Sequence, residues 1–368
     1  RADEQGHGFL YLNNYQDHVE TIDQTDFCVT IQSDLGEVRF PQNGSLNLAK
    51  DACAILPYWF SLEGHLLKYA TAQLITKAVS SHATYYFFSK IRGMSGEFVF
   101  PEDEIIPVSG CSVQKHKVIL SNSETSVFTF GQGNRCIVTV LNVNDAERLW
   151  QYDTPEGRKL FLCDCPVLYK DNEFELEYPM EEEVALFPSE KESIVIHNRE
   201  LSRSGNIGPF ITYTAFQDKK EYHFSVRDAS SVNSDEESTL KRPVVGSPIT
   251  SSKVVNARAV LQFEPDVFTG MKQVMLRIRY RGDIGYAFSN GEMFHDNFCN
   301  GAPWEIDLLP YKEKLLDKGM YIYVSPKKSG GFIDSSSAMA AMVEVFKDQV
   351  AHIDSIELQG IKSLPVSL

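Results

Sequence analysis

The chain has 368 residues, 43% apolar and 23% charged, with a formal charge of -15 and a pI near 5.1. That length exceeds one ordinary domain of roughly 100–200 residues, so two or three cores are expected, and the apolar share excludes intrinsic disorder. The acidic balance excludes nucleic acid and anionic lipid as partners, because both need a basic surface.

The chain opens at Arg1-Ala2-Asp3-Glu4 without a Met or an apolar leader, and is expected to be an excised piece whose targeting signal lies elsewhere. Its longest apolar stretches, 52–60 and 338–345, fall far short of the ~20 residues that span a bilayer, so no membrane span is expected.

Short runs rich in Val, Ile, Phe, Tyr and Thr recur about every ten residues, separated by Gly, Pro, Asn, Asp and Ser. They predict strands over 27–31, 37–40, 84–88, 97–100, 118–120, 127–130, 135–141, 274–280 and 284–288. Helical segments are few. One is expected over 145–152, where Asn144 caps and Glu147 reaches back three residues later, and another over 311–318, ending at Gly319. An α/β barrel needs about eight strands alternating with amphipathic helices, and that alternation is missing. The fold class is therefore mainly β, in two or three β-sandwich or jelly-roll domains.

Two stretches break the pattern. Residues 101–110 carry acidic residues, prolines and a Gly, and 227–252 is polar and Ser-rich with Asp235-Glu236-Glu237. The expected domains are a β-domain over 1–105, a second β-sandwich region over 106–226, a polar linker over 227–252 and a C-terminal jelly roll over 253–368.

Cys28, Cys53, Cys111, Cys136, Cys163, Cys165 and Cys299 are odd in number and lack a CxxC pair, so they form no disulfide framework. Cys163-Asp164-Cys165 falls short of a zinc pattern, which wants four ligands. It reads as a strand with one side chain on each face.

Near the C-terminal end, Gly282 to Glu292 reads as strand, tight turn, strand, with Asn290-Gly291 supplying the positive φ of a two-residue hairpin. The following residues, 295–306, mix polar planar side chains with aromatics. Sugars are bound by that mixture, since their CH faces stack on rings while hydroxyls pair with carboxylates and amides. The candidate sugar-binding residues are Trp304, Glu305, Asp296, Asn297 and Tyr286. The competing reading makes Trp304 and Phe298 core residues and leaves Asp296 to satisfy a loop.

The order Gly282-Asp283, strand, Asn290-Gly291, then Asp296-x-Phe298 and Gly301-x-Pro303-Trp304-Glu305-Ile306 resembles the C-terminal, galactose-binding-like jelly roll of family 35 glycoside hydrolases, the β-galactosidases. At the other end, 8–16 resembles the segment that follows the catalytic barrel in bacterial members. Phe40-Pro41, Ile55-Leu56-Pro57-Tyr58, Leu62-Glu63-Gly64 and 68–74 follow in the same order. The resemblance covers roughly 1–100 and 270–310. It implies a non-catalytic region of a glycan-degrading enzyme, partnered by a catalytic barrel and an oligosaccharide, in a periplasmic or secreted setting. It also implies a large exposed apolar patch, since domain interfaces within one enzyme commonly bury about 600–1,500 Å².

Catalytic residues are not assigned. Retaining glycosidases need two rigid carboxylates about 5 Å apart, and in the resembled family both are barrel glutamates, the acid preceded by Asn. Asn172-Glu173 is the sole Asn-Glu pair here, in a stretch that reads as a turn entering an alternating strand with outward acidic residues. No Gly-x-Ser-x-Gly elbow, phosphate loop or His-Glu-x-x-His pair occurs. His65, His82, His116 and His197 lie beside strand-like runs, and Glu181-Glu182-Glu183 reads as a solvated turn. No cofactor or metal is expected, although calcium held by loop carbonyls leaves no sequence trace. Two further readings stand beside the accessory region: a free-standing carbohydrate-binding protein, which needs an exposed aromatic platform, and an autonomous hydrolase, which needs two facing carboxylates in one pocket.

Overall fold

The computed structural model describes all residues except 17–18, 103, 132–134, 179–181, 189–190, 192, 197–198, 216–222, 229–255, 328–349 and 368. Most of the expected linker, the apolar stretch 338–345, His197 and Glu181 lie outside the described residues. The chain forms two units. One comprises Arg1–Glu175, Glu181–Phe216 and Pro365–Leu368; the other comprises Leu176–Met180 and Gln217–Leu364.

The first unit is built on two sheets. One runs Gly8–Asn13, Cys53–Leu62, His65–Ala70, Glu97–Val99, Lys117–Leu120, Cys111–Gln114 in spatial order; the other runs Ile105–Ser109, Ser126–Phe130, Cys136–Leu141, Thr84–Ser89, Gln73–Val79. Their shared core contains Leu67, Phe88, Phe98, Phe128 and Val138. Phe98 stands edge-on to both Phe88 and Phe128, with ring centroids 5.0 and 5.2 Å apart.

The run Thr84–Ser89 shows why apolar residues are continuous rather than alternating there. Phe88 enters this core, whereas Phe87 points the other way, into a second core with Leu160, Phe187 and Phe210. A strand buried on both faces needs apolar residues at both parities. The outer layer consists of Leu149–Thr154, Gly157–Leu162, Glu182–Phe187 and Phe210–Ala215, paired antiparallel in that order. On the opposite side, Val38, Phe40 and Leu46, from two small strand pairs, cover Leu56, Tyr58 and Tyr69.

The expected break at 101–110 is corrected by this arrangement. Ile105–Ser109 pairs with Ser126–Phe130, and Cys136–Leu141 pairs in parallel with Thr84–Ser89, so one sandwich crosses residue 105. The helix expected over 145–152 is also corrected. It is the single turn-and-a-half Val143–Glu147, capped by Asn142, and Leu149–Thr154 is a strand. The strand expected over 27–31 divides into Gln24–Phe27 and Val29–Ser33.

In the second unit, Phe224–Asp228, Ala257–Phe263, Met320–Val324, Ile284–Ser289 and Glu292–Phe298 form one sheet. Gln273–Arg281 pairs with Trp304–Asp307 on one side and with residues 352–361 on the other. Along Gln273–Arg281, Val274, Leu276, Ile278 and Tyr280 are buried while Arg277, Arg279 and Arg281 are exposed, the period-2 pattern of a half-buried strand. A core of Leu261, Ile278, Trp304, Ile306 and Ile322 joins residues of the two sheets. Asn290 and Gly291 have φ of 51° and 74°, as a two-residue hairpin turn requires. Helix Lys312–Lys318 ends at Gly319, as expected. No helix among the described residues is long and apolar enough to cross a membrane.

Candidate functional site

Backbone register places Tyr286 opposite Asp296 and Gly285 opposite Asn297. Asp296 is exposed. Tyr286 is 6% exposed and stacks on Tyr323 with centroids 6.1 Å apart. Burial, reinforced by Asp283, pushes its hydroxyl pKa up. Asn297 Nδ2 donates to the Tyr280 hydroxyl at 2.9 Å, which in turn donates to the Asn297 carbonyl at 2.7 Å. Asn297 is therefore tied to a tyrosine whose pKa is likewise raised, mainly by burial.

Trp304 is core. It is 1% exposed, its Nε1 donates to His295 Nδ1 at 3.1 Å, and its ring stands edge-on to Tyr280 at 5.9 Å. The alternation of Trp304–Asp307 turns Trp304 and Ile306 inward and Glu305 outward, so the indole is unavailable as a stacking platform. Glu305 belongs to the other sheet and accepts from Arg277 Nε at 2.7 Å. The five candidates thus do not converge. Phe298, placed in the core by the competing reading, is instead 60% exposed. His295, which fixes the indole, carries no sequence signal beyond its place in the strand.

A polar cavity of about 880 Å³ opens in the first unit. Its floor is organised by Asp145, which is 8% exposed. Asp145 Oδ2 accepts from Asn142 Nδ2 at 2.7 Å and Thr125 Oγ1 at 3.2 Å, and Oδ1 accepts from Arg148 Nη2 at 2.9 Å and Nε at 3.2 Å. Asn142 also caps the helix, accepting from the Asp145 amide at 2.8 Å. Arg148 Nη1 lies 4.0 Å from Asp164 on the rim. Trp150 borders the cavity with its Nε1 fixed on the Cys163 carbonyl at 3.1 Å.

Asn122 and Ser123 also line the cavity. Buried Lys90 pins that loop by donating to the carbonyls of Ser121, at 2.6 Å, and Glu124. Burial lowers the Lys90 pKa. Glu147 is paired with Arg92.

Cys163 and Cys165 depart from the expected strand. They flank a bend after Gly157–Leu162, both buried, with sulfurs 3.9 Å apart on one side. A second cavity, of about 580 Å³, is lined by Glu156, Lys159, Asn172, Glu173 and Lys191 among others. Asp171 and Asn172, at φ of 53° and 66°, turn the chain into Glu173–Tyr178. Within it Phe174 and Leu176 are buried and Glu173 is exposed, as the alternation predicts. Glu156 also sits in a hairpin turn, between Leu149–Thr154 and Gly157–Leu162. Among the described residues no cluster of three or more His, Cys, Asp or Glu is placed to hold a metal ion.

Residues 3–150 match the family model for β-galactosidase, domain 2. The match takes in the whole two-sheet sandwich and the Asn142-capped helix. No curated protein matches the chain. The chain therefore contains a β-galactosidase-like region.

Proposed function

We propose that this chain is the accessory, non-catalytic β-region of a family 35 β-galactosidase-like glycoside hydrolase, acting beside a catalytic barrel that supplies both carboxylates. The match of residues 3–150 to β-galactosidase domain 2 carries this reading. The carboxylates lining the two cavities support it. Asp145 is saturated by three neighbouring side chains and Glu147 is held by Arg92, while Glu156 lies in a hairpin turn and Glu173 is the exposed first residue of its strand.

Exposed apolar groups in the N-terminal segment supply a face for the barrel. Tyr11, Tyr15 and Val19 are each at least half exposed and Ile22 is 71% exposed. Asn14 Nδ2 ties the Ile22 carbonyl back beside the first strand at 2.8 Å. Large apolar groups gathered in one exposed segment mark an interaction surface. By the same family analogy the setting is periplasmic or secreted, and the partners are the barrel and a glycan.

Hydrogen exchange tests this assignment. In the whole gene product, amides around Tyr11, Tyr15 and Ile22 should be protected relative to isolated residues 1–368. Equal exchange in the two, or a gene product lacking a barrel, contradicts it.

A further inference from the structure

We propose that the cavity beside helix Val143–Glu147 binds a neutral saccharide. The cations around it are already engaged: Asp145 and Asp164 share Arg148, and Glu147 pairs with Arg92, which leaves one carboxylate in excess. An anionic ligand would find no uncommitted cation there, and a cationic one would have to compete with Arg148 and Arg92. The rim nevertheless offers the exposed side chains of Asn122, Ser123 and Asn144, which donate and accept hydrogen bonds without net charge. Half-buried Trp150 supplies an apolar ring surface, its orientation fixed by the bond to the Cys163 carbonyl. Amides and a hydroxyl arranged beside an indole match a ligand that presents hydroxyls on its edges and CH groups on its faces.

The pocket is held open before any ligand arrives. Lys90 anchors the 121–124 loop, and the Asn142–Asp145–Arg148 network fixes the floor, so little conformational entropy is lost on binding. A volume of about 880 Å³ suits a disaccharide or larger. That the saccharide is a galactoside rests on the β-galactosidase reading; the neutrality of the ligand does not.

The test is a titration of the whole 368-residue chain with β-1,4-galactobiose, cellobiose and digalacturonate, followed by calorimetry and tryptophan fluorescence. Of the three tryptophans, Trp59 and Trp304 are buried, so a fluorescence change reports Trp150. Galactobiose should bind saturably, with digalacturonate at least about tenfold weaker. The double variant N122A/N144A, whose side chains are exposed, should fold normally and weaken galactobiose by roughly tenfold or more. Binding of cellobiose but not galactobiose would keep the neutral-saccharide site and overturn the galactoside choice. No saturable binding of either neutral sugar, equal binding of digalacturonate, or binding indifferent to N122A/N144A overturns the proposal. Turnover of a β-galactoside by this chain would instead overturn the accessory-region reading, so the two failures are told apart.

Discussion

Gly285 lies so close beneath the indole of Trp304 that a Cβ added there would stand 2.7 Å from Cζ3 and 2.8 Å from Cε3 of the ring. The contact explains a glycine in mid-strand, where it otherwise weakens the sheet. Trp304 occupies the core of the second unit, and its ring is also held by His295 and Tyr280, so it has little room to give. Gly285→Ala should cost about 1–3 kcal/mol through overpacking. Chemical denaturation should show this loss with the far-UV spectrum unchanged.

In the first unit, buried Tyr69 and Glu97 form a network with half-buried Lys117. The Tyr69 hydroxyl donates to Glu97 and accepts from the Gln42 amide at 2.6 Å, and Lys117 pairs with the other Glu97 oxygen. Burial first, then the bond to Glu97, pushes the Tyr69 pKa up. Glu97→Gln leaves the ammonium of Lys117, whose side chain is 20% exposed, without its counter-charge. The cost should be about 2 kcal/mol, below the ~3–5 of a fully buried pair. Tyr69→Phe should cost less, about 1 kcal/mol, because the Gln42 amide still reaches Glu97 at 3.3 Å. Urea midpoints of the two variants check the order.

Lys90 crosses from the sandwich to the loop that rims the polar cavity. Lys90→Met removes the donor for two carbonyls and should destabilise by about 1–3 kcal/mol. Amide exchange in residues 121–125 should accelerate more than in the sheet itself.

Glu63 carries a pH signature. The hydrogen bond from Lys77, supported by Tyr86, holds its carboxyl below the ordinary glutamate range despite partial desolvation. A folded pKa below the unfolded one, about 4.3, contributes stability that is fully present above that value and is lost as pH falls through the folded pKa. The stability difference between the wild-type chain and Glu63→Gln should therefore be largest near neutrality and shrink as pH falls below about 4. Melting temperatures at pH 7 and pH 3 read it directly.

Much of the fold was legible because strand signals are local. The runs 84–88, 135–141 and 274–280 match observed strands to within about one residue, and Asn290-Gly291 marks its hairpin by φ alone. Long-range pairing was not legible. Composition at 101–110 suggests a break, yet the parallel pairing of Cys136–Leu141 with Thr84–Ser89 spans it, and nothing local reports that register. The helix expected over 145–152 failed because Trp150 and Tyr152 belong to a strand, and the cap is Asn142 rather than Asn144.

Site residues divide in the same way. The motif around Trp304 marks a structurally demanding segment, but alternation alone does not decide whether the indole faces core or solvent. The polar cavity draws on Asn122, Asn144, Arg148, Trp150 and Asp164, which come together only through tertiary packing and show no motif spacing.

The most direct test of the central claim is hydrolysis of a chromogenic β-galactoside by purified residues 1–368, measured against a protein-free control and against the whole gene product. An accessory region should give no turnover above the control as the isolated chain, and the whole gene product should turn the substrate over measurably. Turnover by the isolated chain, abolished by Glu156→Gln or Glu173→Gln, would contradict it and place a working carboxylate pair within these sheets.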